Sequence, residues 1–565
     1  MIVYYPRHRA IIHLPLTKGD SMRVIKGSWH KKVALAAVVT MVTSLGQIAP
    51  TNAASKANNL VIAISEFDSG WCLQDSPGGE QILAKNQVTE TLFTTNDKGK
   101  TVPYLAKSVE NSADFKTWKL TLREGIMFHD GEELTAATVA ANAAGNLGLN
   151  PVIPASLPAI AWQDALGGVT SLAQFAAKVQ PLSKYVIQFN LPAPRPLFSE
   201  LWAGGRASLW SSKTLQNKQC GQTVGAGTGP FKIQSKGVDK TKTVLEANTS
   251  YWRKGADGKS LPKAKTLTFL TVVDGSQRRN ALLKGQADMA TFGSTGGLVL
   301  NEMKKDKGIT LFEGPRDTTW SYHLNSAAAP FNSKNARLAF SFGLDREALA
   351  KVVAKGNADP GYCFGATYHP YNLSNGGKKK CAPSDLAKAK QYVAAYQTET
   401  GKQLAIVLPT TESQESIKLN QAVCNMMIKA GATCTLMPPV TATAYILRGF
   451  ALQQQASNFN VVFGYSSSFA DLFSRKTNLE LSGFRFTNPG LAACFQTAVE
   501  TNSKAKYQEC VGVLHGDAYW VPAWTEATFI ASGKNVVFSD GLLPSGGKRR
   551  EIDAKFDFAT ITVSG

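Results

Sequence analysis

Alternation of apolar and polar positions is clearest around Trp118. Trp118, Leu120 and Leu122 fall on one face and Lys119, Thr121 and Arg123 on the other, the period of a half-buried strand. "NNLVIAI" (Asn58 to Ile64) is apolar at consecutive positions and predicts a buried strand. "YVIQFNL" (Tyr185 to Leu191), "KTLTFLTVVD" (Lys265 to Asp274) and "QLAIVLP" (Gln403 to Pro409) also read as strands. "KTVLEANTSYW" is strand-like as far as Trp252, and the glycine-rich "GAGTGPFKIQ" (Gly225 to Gln234) is a turn entering a strand. Helical spacing replaces alternation in "LTAATVAANAAGN", "GSQRRNALLKG" and "NARLAFSFGLDREALAKVVAKG", the last punctuated by Gly343. It returns in "SDLAKAKQYVAAYQTETG", closed by Gly401, and in "ESIKLNQAVCNMMIKAG", which runs through a glycine stop into another strand. Helices alternating with strands in both halves predict an α/β protein with more than one sheet. At 565 residues the chain exceeds one ordinary core.

The N-terminus breaks this pattern. Lys31 and Lys32 precede an apolar run, Val33 to Gly46, of signal-peptide length and short for a membrane span. Small residues suited to cleavage follow at Ala53 and Ala54, so residues 1–53 are expected to be a signal segment, with Met22 the start that gives its basic flank a normal length. No cysteine follows the run before Cys72, so no lipid-anchor cysteine is expected and the chain reads as exported and released, periplasmic or extracellular. An uncleaved anchor helix is the alternative. Loss of the leader removes seven Lys/Arg and one Asp, lowering the formal charge from +20 to +14.

Export changes the meaning of the eight cysteines, all of which lie after the leader. Cys363 with Cys381, Cys424 with Cys434, and Cys494 with Cys510 are close in sequence, which leaves Cys72 with Cys220. Each local bridge would add roughly 2–3 kcal/mol through the unfolded state. There is no C-x-x-C. The basic clusters "GGKKKC" and "GKRRE" are short and lack interleaved aromatics, so they read as solvated surface and no nucleic-acid partner is expected.

Candidate chemistry is sparse. "ADGKS" (Ala256 to Ser260) lacks the first glycine of a phosphate loop and runs into Leu261-Pro262 instead of a helix. "GYSSS" (Gly464 to Ser468) approaches a nucleophile elbow without its closing glycine. "FHDGEEL" (Phe128 to Leu134) could offer His129, Asp130 and Glu133 to a metal. Asp-Gly turn chemistry and Thr135 as a helix N-cap account for the same residues as a strand–turn–helix corner, and no metal or other cofactor is expected.

Five segments then occur in order: "VPYLAKSVENSADFKTWKLTLREGIMFHDGEELTAATVAAN", "GTGPFKI", "NTSYWRKG", "SQRRNALLKGQADMA" and "PFNSKNARLAFSFGLDREALAKVV". Together they closely resemble the family 5 extracellular solute-binding proteins of bacterial ABC importers, from about Asn59 to Phe538. The resemblance implies a two-lobed type II periplasmic-binding-protein fold of the large three-domain subclass, with a hinge between lobes. It implies a discontinuous domain at 55–97, 225–315 and 526–565, an inserted domain at 98–224, and a second lobe at 316–525. It also implies a non-enzymatic, monomeric carrier of an oligopeptide or other small solute, serving membrane permease subunits and their cytoplasmic ATPases. Where relatives carry Gly-Trp-x-x-Asp, this chain has Tyr465 in the aromatic place and Ser468 in that of the aspartate, with Asp471 three residues on. Serine supplies no charge for a peptide ammonium, and "LPTTES" (Leu408 to Ser413) holds no arginine for a carboxylate. The remaining ligand candidates are aromatic: Trp71 after the first strand, Trp320 and Tyr322 at the crossing into the second lobe, and Trp524 at the return. A secreted serine hydrolase using "GYSSS", and a receptor or chaperone on the same fold, are the alternatives.

Overall fold

A computed structural model describes most of the chain between residues 58 and 564. Residues 1–57, 66–70, 72–80, 96–100, 151–158, 204–206, 218–224, 235–240, 294–295, 315, 317, 364–372, 374–379, 451, 463–487, 539–556 and 565 lie outside the described residues. The described residues belong to one unit, Ser55–Gly565.

β1 (Asn59–Ile64) opens the fold, and β2 (Phe93–Thr95) pairs with β3 (Thr101–Pro103). β4 (Ala106–Asn111), β5 (Thr117–Leu122), β6 (Val179–Ser183) and β7 (Val186–Asn190) form an antiparallel sheet in the order β4-β5-β7-β6. The chain then returns to β1 through β8 (Phe231–Ile233), β9 (Lys242–Ala247), β10 (Thr266–Thr271), β11 (Met289–Gly293) and β12 (Ile309–Glu313). β13 (Thr318–Leu324) begins a second body with β14 (Ala358–Pro360), a parallel pair β15 (Ala405–Leu408) and β16 (Thr433–Leu436), and β17 (Ala456–Val462). β18 (Trp520–Glu526) completes the order β14-β18-β13-β17. β19 (Thr528–Gly533) goes back to the first body, followed by the antiparallel pair of β20 (Val536–Phe538) and β21 (Ile561–Val563).

The first body is a seven-stranded sheet of order β12-β19-β11-β1-β10-β9-β8. β1 runs parallel to β10 and β11, whereas β19 is antiparallel to both β11 and β12. Both faces are covered. Leu60, Ile62 and Ile64 pack with Phe231, Leu245 and Phe269, while Ala63 packs on the other face with Ala290, Phe292 and Phe529. That explains why β1 is apolar at consecutive positions, as double-sided burial requires. On β5 burial alternates as expected, with Trp118, Leu120 and Leu122 inside a separate core that includes Phe128, Phe189 and Trp202.

One element departs from the sequence pattern. The strand expected to continue to Trp252 ends at Ala247. Asn248 turns the chain instead: its Oδ1 accepts from Ser250 N at 3.2 Å and its Nδ2 donates to Gly229 O at 3.1 Å. A side chain that captures nearby backbone groups competes with the ladder, and Asn is well suited to doing so.

The expected bridges Cys363–Cys381, Cys424–Cys434 and Cys494–Cys510 are formed. Cys72 and Cys220 lie outside the described residues. Among the described residues no helix is long and apolar enough to cross a membrane.

Candidate ligand-binding site at the strand crossings

The chain passes between the two bodies twice among the described residues, from β12 to β13 and from β18 to β19. The crossings lie side by side, because Gly314 N donates to Thr528 O at 2.9 Å. Just beyond them, Trp320 on β13 faces Trp524 on β18 in direct register. Their rings stack with centroids 5.4 Å apart and planes 15° from parallel. Trp524 is buried and its Nε1 donates to Glu526 Oε2 at 3.3 Å. Trp320 is half-buried, and its indole N–H meets no hydrogen-bond partner among the described residues. A π face next to an unspent donor can bind either an aromatic, sugar or peptide plane or an acceptor atom.

The other aromatic candidates are placed differently. Tyr322, two positions along β13, lies in the core edge-on to Phe340 at 5.2 Å, and its hydroxyl donates to Asn420 Oδ1 at 3.0 Å. Trp71 is 1% exposed and packs in the core beneath β1. Tyr465, Ser468 and Asp471 lie outside the described residues, as does the serine segment of the hydrolase alternative.

"FHDGEEL" is a staple. Gly131 takes φ +89, the left-handed turn position a side chain would strain, and Thr135 Oγ1 caps the helix Ala136–Asn146 by accepting from Thr138 N. His129 N donates to Gly227 O at 2.9 Å, and its Nε2 lies 2.9 Å from Gly229 O, so the neutral ring donates there. Burial pushes the imidazole pKa down to about 4. Glu132 accepts from Ser212 N, Ser212 Oγ and Thr138 Oγ1, while Glu133 accepts from Tyr185 and Lys184. The side chains of His129, Glu132 and Glu133 are thus committed to Gly229, to Ser212 and Thr138, and to Lys184 and Tyr185 just before β7. No group of three or more His, Cys, Asp or Glu among the described residues could hold a metal.

Two polar centres escaped sequence reasoning. Glu90, buried, accepts from Tyr104, Tyr251, Trp252 Nε1 and Thr228 Oγ1 at 2.5–3.0 Å, and burial raises its carboxyl pKa. Arg346, also buried, sets Nε on Pro522 O at 2.7 Å and Nη1 on Ser341 O and Leu344 O, anchoring β18 from the adjoining helix. Burial pulls its guanidinium down to about 9. The only hints were "SYW" and "DRE", which carry no chemistry of their own until Tyr251 and Trp252 meet Glu90 and Arg346 meets Pro522, each from over 100 residues away.

The profile of the bacterial extracellular solute-binding proteins, family 5 (middle region), matches residues 100–480. The glutathione-binding protein GsiB of Salmonella paratyphi A is 23% identical over 532 residues, covering 90% of this chain and 95% of the relative. AgaA from A. tumefaciens R10, solved with agropinic acid, superposes with a TM-score of 0.76 at 17% identity, covering 90% of this chain and 99% of AgaA. DppA from Helicobacter pylori, an ABC transporter-associated periplasmic binding protein solved with the peptide STSA, gives 0.75 at 18% identity with the same coverage. The fold is the two-lobed α/β fold of the type II periplasmic binding proteins, hinged between its lobes. The sequence profile and the paired crossings converge, and the chain belongs to the family 5 bacterial extracellular solute-binding proteins.

Proposed function

We propose that the protein is the exported substrate-binding component of an ABC importer, capturing a small solute between lobes that close about the two crossings. The observation that carries this reading is the pair of adjacent crossings, β12–β13 and β18–β19, tied at Gly314 and Thr528. Two neighbouring strands can twist together where a single one would swivel. Closure favours the loaded state because only then do both lobes contact the ligand. The closed form is what permease subunits, powered by cytoplasmic ATPases, would recognise. The protein acts as a monomeric carrier, makes and breaks no bond, and works outside the cytoplasm, where its disulfides persist. Lobe one is formed by 55–97, 225–315 and 526–565 with 98–224 inserted, and lobe two by 316–525.

The cargo is an oligopeptide gripped through its backbone, or a non-peptide solute such as a glycoside. The relatives' ligands, glutathione, agropinic acid and a tetrapeptide, differ widely in their charged groups. Ser468 in place of an aspartate, with no arginine near Leu408 to Ser413, argues against dependence on charged peptide ends. Trp320 is the first wall residue, with Tyr465, Ser468 and Asp471 the further candidates; Trp524 backs it through the ring stack, and the buried Trp71 and Tyr322 support the wall from the core without facing the solute. Native mass spectrometry of the protein as purified tests the reading. A bound solute released on denaturation supports it. Recovery only of tightly held peptides with free N-termini would refute the argument from Ser468. Ester or peptide turnover lost in Ser466→Ala would refute the carrier reading itself.

A further inference from the structure

Beside the crossings, a buried amide joins the two bodies. Asn357 is 0% exposed and immediately precedes β14. Its Nδ2 lies 3.2 Å from Gly297 O and 3.2 Å from Asn301 Oδ1, on the helix Gly297–Met303 that follows β11. The same nitrogen lies 3.0 Å from Ala354 O on its own side. Asn357 Oδ1 accepts from Lys304 Nζ at 2.7 Å, and Asn301 Nδ2 donates to Lys355 O at 3.2 Å. The backbones are nearly in contact: a Cβ at Gly297 would lie 2.3 Å from Ala354 O, too close for any side chain. Lys355 and Gly356, at φ +50 and +88, form the left-handed turn that delivers Asn357.

The position of this tie gives it a role. Ala358, next to Asn357, pairs with Glu526, and Gly293, four residues before Gly297, pairs with Thr528. Only Ala527 separates those two partners, so the tie is rooted on both sides of the crossing itself. Arg316, within the other crossing segment, bridges in the same sense to Glu313 of β12 and Asp359 of β14.

Resting on the proposed closure of the lobes about the two crossings, we propose that Asn357 is a positioning residue for closure: with Gly297 it forms the pivot on which the lobes turn. In a rigid-body rotation, displacement grows with distance from the axis, so contacts at the crossing persist while distant surfaces separate. Splaying at the pivot would leave the amide only its Ala354 contact and strip Asn357 Oδ1, Gly297 O and Lys355 O of their partners across the tie, which is costly. The amide therefore resists splaying and sliding but permits rotation. Closure is confined to one arc, and the walls meet the ligand in a fixed register.

The test reads interlobe motion directly. Dyes are placed through unnatural amino acids at exposed Val273 and Leu386, one on each body, leaving the disulfides intact. Single-molecule energy transfer is recorded on ligand-stripped wild type, Asn357→Asp, Gly297→Ala and Lys304→Met, with thermal unfolding run in parallel. Asn357→Asp keeps the shape and the lysine contact but loses every donor. It is expected to broaden the transfer distribution at least about twofold. Gly297→Ala, a wedge, shifts its mean towards separation, and Lys304→Met, losing one bond of the tie, broadens it less than Asn357→Asp. If Asn357→Asp and Gly297→Ala both fold and reproduce the wild-type distribution, the pivot is refuted. A variant that loses thermal stability but keeps the distribution marks a merely structural contact and refutes it too. If no solute is found bound by mass spectrometry but the variants broaden as described, the carrier reading suffers and the pivot stands.

Discussion

His129 and Glu90 are titratable groups whose burial pulls in opposite directions. For His129 the folded pKa falls from 6.5 to about 4, so between those values the unfolded chain binds the extra proton. Stability from this residue is present above about pH 6.5 and is lost as pH falls towards 4, by at most about 3 kcal/mol. His129→Gln, which keeps a donor for Gly229, should flatten the dependence of urea-unfolding free energy on pH across that window. Glu90 behaves inversely. Its folded pKa lies above 4.5, so the native state holds the extra proton and stability declines as pH rises from 4.5 through the raised value. Glu90→Ala strands four donors, those of Tyr104, Tyr251, Trp252 and Thr228, and should cost about 3 kcal/mol or more by the same measurement. Glu90→Gln should cost less while removing this pH slope. The turn around His129 was legible in sequence because Asp-Gly and Thr135 are local signals. The Glu90 centre was not, since its four donors come from three separate segments, at Tyr104, Thr228 and Tyr251–Trp252.

Among the elements, those with self-contained signals appear where the sequence placed them. β1, β5, β7 and the helix Leu386–Thr400, ended by Gly401, depend on periodicity and caps within one segment. Three-residue strands such as β2, β14 and β20 exist only because a partner from elsewhere completes them, so no local pattern announces them. Thr135→Ala should lower stability by about 1 kcal/mol, read by thermal or urea unfolding, because it removes the N-cap of Ala136–Asn146. The three described bridges all lie between residues 363 and 510. One pins the helix Gln414–Lys429 to β16, and another joins the helices Pro489–Thr501 and Lys504–Gly516. Each is worth about 2–4 kcal/mol. Under reductant, hydrogen exchange should accelerate first in 414–436 and 489–516, with β1 and β10 remaining protected. Uniform acceleration would show that the bridges stabilise the whole unit.

Across the molecule, the family and fold were legible because five segments keep their order over most of the chain. The site was legible only in part. Alternation places Trp320 and Tyr322 on one face of β13, yet it cannot tell which of them the helices will cover. Trp320→Ala should weaken binding of the co-purified solute about tenfold or more while leaving the unfolding midpoint within a few degrees. The tryptophan emission of wild type, but not of the variant, should shift on loading. The strand order has one further consequence. β19 lies between β11 and β12, so two strands made before residue 314 have no common neighbour until residues 528–533 arrive. The second body, continuous from β13 to β18, can mature first, oxidise its own thiols and present β19 for insertion. A chain delivered N-terminus first therefore spends most of its synthesis as a protein with an open seam, and its final stretch acts as the zipper.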